Sequence, residues 1–470
     1  MAMDAKYDLI VIGAGPGGYT AAARASQLGL KTACIDERAQ PGGVCLNVGC
    51  IPSKALLDSS EYYHLARTQF ADHGIHTGDL TIDLAAMMAR KEQVVAGLTQ
   101  NVRDMLSGLD VTLINGRAKL AGAHRVSVSP ADDHEPFALE AKSIILATGS
   151  APIVVPGLPV DGRQIVDSTG ALSFDRAPEH LVIVGGGYIG LELGSVWLRL
   201  GAKVTVVEML EHVAAGLDGQ VGRTLDRILR KQGMQIHLRT RVVEARAGAD
   251  EVAVKIDGKG ESQTLTCDRV LVAVGRRPLT ANLGLKQVGI ETDAGGRVVV
   301  DEWYRTRIES VYAIGDLIAG PMLAHKASAE GVAVAEHLAG QETEVNYDAI
   351  PAVVYTAPEV AAVGLTEAQA RDRKIPYCVG SFPFAGAGRA RCMGETDGFV
   401  KLITHRGSDR LLGAHIIGAR AADMIAECVL AMEFGATGED IARTIHGHPT
   451  FAEALQEAAL SARACSIYNS

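Results

Sequence analysis

The chain is 470 residues long, too long for a single hydrophobic core and long enough for two to four domains. Apolar residues make up 47% and aromatics only 4%, so the interiors must rest on Ala, Val, Leu and Ile. A net charge of −10 argues against a nucleic acid or an anionic membrane as partner, and there is no run of about 18 uncharged apolar residues to cross a bilayer. The N-terminus, Met1 to Tyr7, enters a strand pattern without the basic start, apolar run and cleavage site of a secretory signal. Eight cysteines are scattered except for one pair, the pattern of a cytoplasmic protein with one functional pair rather than of a secreted disulfide framework.

The first unit in the chain is a strand over 7–12, the turn Gly13-Ala14-Gly15-Pro16-Gly17-Gly18, an Ala-rich helix to Gly29 and a strand over 31–36. Gly13, Gly15 and Gly18 fit G-x-G-x-x-G. The first glycine permits the tight turn and the second admits a pyrophosphate. The third lets helix and strand pack closely, with the phosphates at the helix N-terminus. An acid closing the second strand then binds a ribose hydroxyl. Asp36 and Glu37 adjoin there; Asp36 is preferred, and Glu37 is kept as a flanking charge beside the same site. Cys45, Cys50 and Lys54 follow. Helices are expected over 53–73 and 83–107, the second with Leu84, Met87, Met88, Val94, Val95, Leu98 and Val102 at helical spacing. Strands follow at 111–114 and 143–147, the latter ending in Thr148-Gly149-Ser150, and the Pro-rich stretch 152–159 is a crossover.

The same device then recurs: a strand over 180–184, the turn Gly185 to Gly190, a helix to Gly201 and a strand over 203–208. Glu208 lies 23 residues after Gly185, as Asp36 lies 23 residues after Gly13, and this spacing selects Asp36 over Glu37. A carboxylate at 208 repels a 2′-phosphate, and the next residues, Met209, Leu210, Glu211 and His212, include no Arg, so NAD is expected over NADP. Two dinucleotide devices in one chain suggest a bound flavin and a diffusible nicotinamide. A strand over 269–274 leads out through Gly275-Arg276-Arg277-Pro278. A strand over 311–316 ends in Asp316, and a helix is expected over 325–339. From 347 the pattern changes to short strands (352–355, 399–404, 411–417) and three helices, an α+β unit that carries His446, His448 and Glu453 near its end.

The string GGVCLNVGCIPSK, which carries both Cys45 and Cys50, resembles the redox-active segment of the flavoprotein disulfide reductases. Residues 446–453 resemble the H-x-H-P-T-x-x-E signature of the branch of that family that oxidises dihydrolipoyl groups. The resemblance extends over nearly the whole chain, from Tyr7 to the neighbourhood of Ala462. It implies an α/β fold: two Rossmann-like dinucleotide-binding domains plus a C-terminal α+β dimerisation domain. The expected boundaries are 1–150 for FAD, 151–277 for NAD, 278–346 for a central region completing the FAD site and 347–470 for the interface.

The same resemblance implies the roles. Cys50 lies against the flavin and Cys45 faces the disulfide substrate. Lys54 approaches the flavin and pairs with Glu192. Ala118, Thr148, Gly149, Ser150, Asp316, Met322, Leu323, Ala324 and His325 complete the FAD contacts, and Gly187, Gly190, Glu192, Glu208 and Gly275 serve NAD. His448 is the base, Glu453 orients it, and His446 is structural. The assembly is a homodimer in which His448 and Glu453 serve the cysteine pair of the other subunit. Its partners are lipoyl domains of 2-oxoacid dehydrogenase complexes or the glycine cleavage carrier.

Geometry constrains the pair independently. A disulfide needs Cα atoms about 4.4–6.8 Å apart, whereas five residues of straight helix rise about 7.5 Å. The pair is therefore expected to straddle a loop-to-helix entry, with Gly49 relieving the backbone and Pro52 early in the helix. A cysteine at that helix start has a stabilised thiolate. No second cysteine pair is present for a zinc site, and only Cys465 lies near the C-terminus, where mercuric reductases carry two. The alternatives are a reductase of another small disulfide and a non-catalytic scaffold that retains FAD; the intact cysteines, Lys54, His448 and Glu453 oppose the second.

Overall fold

The computed structural model describes residues 6–132, 134–258 and 260–462, so Cys465 lies outside the described residues. The chain forms two compact units, one of Met1–Leu56, Asp83–Ile153 and Gly275–Val345, the other of Leu57–Ile82, Val154–Val274 and Asn346–Ser470. Among the described residues no helix is long and apolar enough to cross a membrane.

In the first unit five parallel strands lie side by side in the order Thr112–Gly122, Thr32–Asp36, Lys6–Ile12, Phe137–Leu146, Val311–Ala313. Leu9, Ile10, Val11, Ile35, Ile144 and Ile145 are buried along them, the continuous apolar run that a parallel sheet covered on both faces requires. The far halves of Thr112–Gly122 and Phe137–Leu146 run on and pair antiparallel with Arg125–Pro130. The sequence reading stopped short of this extension because only one face is buried there. Gly116, Ala118 and Leu120 point inward while Arg117 and Lys119 alternate outward, which breaks the apolar runs used to find the strands.

The scarcity of aromatics has a structural counterpart. Helices Pro16–Gln27 and Ala324–Leu338 cross with almost no space between them: a Cβ on Gly331 would lie 2.5 Å from the Gly17 carbonyl oxygen. Ala21, Ala22, Ala25, Ala333 and Ala335 fill the surrounding core, and Arg24 bridges the two helices to Glu336 at 2.7 Å.

In the second unit the duplicated device has the same layout. Parallel strands run Gln235–His237, Lys203–Val207, His180–Val184, Arg269–Val272, Ile165–Val166. An antiparallel insertion, Thr240–Ala247, Val252–Gly258 and Glu261–Cys267, again precedes the return strand. The remainder is a five-stranded antiparallel sheet in the order Ala352–Val354, Glu359–Gly364, Leu411–Gly418, Phe399–His405, Tyr377–Pro383. The three helices expected after residue 347 are five among the described residues. Glu367–Asp372 and Gly388–Met393 are too short to show a helical apolar period and were not foreseen.

One ionic cluster is buried inside this unit. Lys401 is 1% exposed and its Nζ meets both oxygens of Asp218 at 3.1 Å and Glu367 at 2.7 Å. Asp218 also caps helix Gly219–Lys231 by accepting from the Gln220 N–H. Removing one partner of such a cluster strands a buried charge. Lys401→Met is therefore expected to cost about 3–5 kcal/mol, read as a lower denaturant midpoint for this unit. An unchanged midpoint would show that the cluster contributes nothing.

Candidate active site

At the first turn Gly13 has φ +107°, and a Cβ on Gly18 would overlap the Gly13 carbonyl oxygen. The helix begins at Pro16, whose fixed φ and missing N–H suit that position. At the second turn Gly185 has φ +104°, and a Cβ there would lie 2.5 Å from the Ala273 carbonyl oxygen. The middle glycines differ. A Cβ on Gly187 would meet nothing within 4 Å, and one on Gly15 would meet only the Gly43 Cα at 3.8 Å. Their lack of a side chain is not demanded by the protein's own packing. It leaves free space at a helix N-terminus, the cradle a pyrophosphate needs, so the residues present fit a dinucleotide at both turns.

The two acids have matching environments. Asp36 accepts from the Ala14 N–H at 2.6 Å and from the Arg38 N–H at 2.8 Å. Glu208 accepts from Gly186 N–H at 2.6 Å and from Leu210 N–H at 2.8 Å. Each therefore ties the Gly-rich turn to the end of the second strand and keeps lone pairs for a sugar hydroxyl. Burial pushes the Asp36 carboxyl up, against the pull of those two N–H groups. Glu37 instead points out to pair with Arg117 at 3.0 Å. Arg239, distant in sequence, reaches Glu211 at 2.8 Å.

Ala118 is buried in its strand, opposite Val128. Thr148 donates to the Leu279 carbonyl at 2.9 Å. Gly149 has φ +73°, and Ser150 hydrogen-bonds Asp316. Arg276 holds Ser150 in turn, at 2.8 Å to its hydroxyl and 2.6 Å to its carbonyl. Sequence reasoning missed how the Asp316 turn is fixed. Lys326 and Glu330, fully buried and 3.1 Å apart, clamp both backbone groups of Gly315: Nζ donates to its carbonyl at 2.8 Å and the carboxylate accepts its N–H at 2.7 Å. Two opposite charges one turn apart in an Ala-rich helix were the available signal. Leu323 is the N-cap residue of that helix, Ala324 opens it, and Met322 and His325 flank these positions.

The cysteines bracket a break between two helices. Cys45 lies in the short helix Gly43–Val48 and Cys50 is the first residue of Cys50–Thr68, with Gly49 between them at φ −141°, ψ −113°. The expectation of a loop-to-helix entry is corrected in one respect: Cys45 is itself in a helical turn. Gly49 is required, because a Cβ there would lie 2.8 Å from the Val44 carbonyl oxygen. Cys50 is exposed and Cys45 half-buried. The Cys45 thiol is pushed well above the ordinary range, first by its hydrogen bond with Cys50, then by burial and by charge on Cys50; Lys54 pulls the other way. Cys50, at the positive end of a helix, is the better placed of the two to carry a thiolate.

In the second unit Glu192 is buried and accepts from the Tyr355 N–H at 2.9 Å. Gly275 belongs to the first unit, has φ +110°, and its carbonyl accepts from Ile153 at 3.1 Å. His448 Nδ1 lies 2.8 Å from Glu453 Oε1, and the other Glu453 oxygen accepts from the Thr450 N–H at 2.8 Å. Glu453, the first residue of helix Glu453–Ala462, is raised by burial but ends below the usual carboxylate range through its bonds to His448 and Thr450. The carboxylate fixes the ring with Nδ1 as donor, which leaves Nε2 as the basic nitrogen of a side chain 79% exposed. His446 makes a separate bond to Glu427, a residue that sequence reasoning did not single out. Among the described residues no cluster suited to a metal ion occurs.

The model of the pyridine nucleotide-disulphide oxidoreductases matches residues 7–331, and the model of their dimerisation domain matches residues 350–459. The chain is 47% identical over 460 residues to the mitochondrial dihydrolipoyl dehydrogenase of Sus scrofa, covering 97% of this chain and 90% of that one. It is 47% identical over 456 residues to mitochondrial dihydrolipoyl dehydrogenase 2 of Arabidopsis thaliana, with the same coverage, 97% and 90%. Among solved structures it resembles LpdA of Mycobacterium tuberculosis, with a TM-score of 0.89 and 27% identity over 96% of this chain and 98% of that one. It also resembles the HOCl-induced flavoprotein disulfide reductase RclA of Escherichia coli in its Cu(II) complex, with a TM-score of 0.85 and 29% identity over 97% and 99%.

The contrast among the glycines is testable on protein stripped of dinucleotide. Gly18→Ala must displace the Gly13 carbonyl and is expected to cost about 1–3 kcal/mol. Gly15→Ala meets open space and is expected to cost about 1 kcal/mol or less. Equal losses in a denaturation experiment would refute the idea that the middle position is kept open for a ligand.

Proposed function

Because the chain belongs to the pyridine nucleotide-disulphide oxidoreductases, we propose that it oxidises protein-bound dihydrolipoyl groups to the lipoyl disulfide, with NAD+ as final acceptor. It is an NAD-dependent flavoprotein disulfide oxidoreductase that uses FAD and NAD. The observation that carries the substrate assignment is the Cys45–Cys50 pair, hydrogen-bonded at the head of a helix in a chain that matches dihydrolipoyl dehydrogenases over 97% of its length.

The working form begins with Cys45 and Cys50 joined as a disulfide. His448 Nε2 takes the proton of one substrate thiol, and that sulfur attacks Cys45 Sγ. The Cys45–Cys50 bond breaks, and Cys50 leaves as a thiolate stabilised by the helix N-terminus. The second substrate sulfur, passing its proton to the departing Cys45 sulfur while His448 keeps the first, displaces Cys45 from the mixed disulfide. Lipoyl disulfide departs, and the two electrons remain on the Cys45 thiol and the Cys50 thiolate. Glu453 holds the His448 ring throughout and stabilises its cationic form. Bound FAD would supply the two-electron acceptor for the reduced pair, with NAD+ as the final hydride acceptor. Asp36, the Gly13–Gly18 turn, Lys54, Ala118, Thr148, Gly149, Ser150, Asp316 and the start of helix Ala324–Leu338 are the groups that would hold it. The Gly185–Gly190 turn, Glu192, Glu208 and Gly275 would hold NAD.

The dimerisation-domain match makes a homodimer the expected assembly. In our reading His448 and Glu453 serve the cysteine pair of the neighbouring protomer, and the exposure of the His448 ring supports this. Lipoyl domains of 2-oxoacid dehydrogenase complexes or of the glycine cleavage carrier are the partners, met in the cytoplasm, where the scattered cysteines suit a reducing environment.

Purified holoprotein is expected to turn over dihydrolipoamide with NAD+ and to show little activity on glutathione or mercuric ion. Cys45→Ser should abolish dihydrolipoamide oxidation while FAD content stays at the wild-type level. Full turnover by that variant would remove Cys45 from the reaction, and preference for another disulfide would overturn the substrate assignment.

A further inference from the structure

His446 is more than a neighbour of His448. Its side chain is only 5% exposed. Nε2 lies 2.8 Å from Glu427 Oε1, and Nδ1 lies 2.9 Å from the Thr444 carbonyl oxygen. Both partners are acceptors, so both ring nitrogens must donate, and the ring that satisfies both bonds is the imidazolium. The Thr444 carbonyl also accepts from Gln456 Nε2 at 3.0 Å, on the helix that Glu453 begins. Beyond His446, the Thr450 hydroxyl donates to the Gly447 carbonyl at 2.8 Å. Residues 444–450 are thus tied to helix Ala421–Glu433 through Glu427 and to helix Glu453–Ala462 through Gln456 and Glu453.

We propose that His446 is a positioning residue that, by donating from both ring nitrogens to Glu427 and Thr444, fixes residues 444–450 and sets Glu453 for its bond to His448. This rests on the reading of His448 as the base. Electrostatics support it. The charged groups that face His446 are Glu427 and Glu453; its bond to Glu427 is the main cause holding its pKa above the ordinary histidine range, and Glu453 adds to it. The reverse effect is also present, since positive charge on His446 helps hold Glu453 below the usual range. Removing His446 would therefore loosen the segment and weaken the ionised carboxylate on which His448 depends. The sign for pH follows: the imidazolium bonds are fully present below the ordinary histidine range and are lost as pH rises through the raised value.

The test compares His446→Gln, His446→Lys, Glu427→Gln and His448→Gln holoenzymes, each profiled against pH. His446→Gln is expected to lower kcat for dihydrolipoamide about ten- to a hundredfold, the scale of a misplaced catalytic group, with KM little changed and NADH-driven reduction of an artificial acceptor intact. Glu427→Gln, which keeps the imidazole, is expected to move the alkaline fall in kcat to lower pH. His446→Lys, a cation across the working range, is expected to recover part of the lost rate and to flatten that fall. Wild-type kcat and pH profile in His446→Gln would overturn the proposal. So would a Glu427→Gln profile with an unmoved alkaline limb. A wild-type dithiol half-reaction in His448→Gln would instead overturn the assignment of the base, so the two failures are distinguishable.

Discussion

The helix break between Cys45 and Cys50 is the constraint on which the proposed chemistry depends. A symmetric dithiol would have no direction. Here the pair is split by a helix break at Gly49, so that one sulfur sits at the positive end of a long helix and the other does not. That placement favours charge on Cys50, and the raised Cys45 thiol agrees with it. Lys54, one turn into the helix, opposes the rise of the Cys45 thiol. Tyr19 senses the same charges: its hydroxyl is raised first by burial and then by Cys45 and Cys50. Leaving-group chemistry in thiol exchange favours the better-stabilised thiolate, and on that ground we propose Cys50 as the sulfur expelled and Cys45 as the one attacked.

The rest of the first unit brings a dinucleotide turn to that pair and holds it still. Gly43, at the start of the helix that carries Cys45, is in van der Waals range of Gly15 in the turn. The carboxylates Asp36 and Glu208 combine two tasks that a sequence motif treats as one. They cross-tie their own turns through two backbone N–H groups each, and in our reading they also accept from a sugar. An alanine at either position would therefore lose turn geometry as well as a ligand contact. The buried Lys326–Glu330 pair has a comparable role at the Gly315 turn, where the charges are spent on backbone groups rather than on each other alone.

Much of this was legible in the sequence, and what was not has definite causes. The two dinucleotide units were legible because the glycine spacing and the terminal acid are local constraints, each within a single strand–turn–helix. The His448–Glu453 pair was legible only through the resemblance of residues 446–453 to a family signature. The antiparallel extensions around Arg125–Pro130 were not, because a strand buried on one face and polar on the other breaks the apolar run that marks a buried parallel strand. The six-residue helices Glu367–Asp372 and Gly388–Met393 are too short to show a period. Lys326, Glu330, Lys401 and Glu427 escaped notice because a charged residue's usual place is the surface. Their roles depend on partners that pattern reading does not pair: Gly315 for the buried Lys326 and Glu330, Asp218 and Glu367 for the buried Lys401, and His446 for the part-exposed Glu427. His446 was set aside as structural, and its two acceptors are what give that description content.

We propose that the dithiol is asymmetric, with charge on Cys50 and the proton on Cys45. The most direct measurement is the long-wavelength absorption of holoprotein reduced anaerobically with two electrons, compared among wild type, Cys45→Ser and Cys50→Ser. A thiolate beside the flavin gives a band that is present in wild type, retained in Cys45→Ser and absent from Cys50→Ser. A band that survives in Cys50→Ser and vanishes in Cys45→Ser would place the charge on the wrong sulfur and contradict the account.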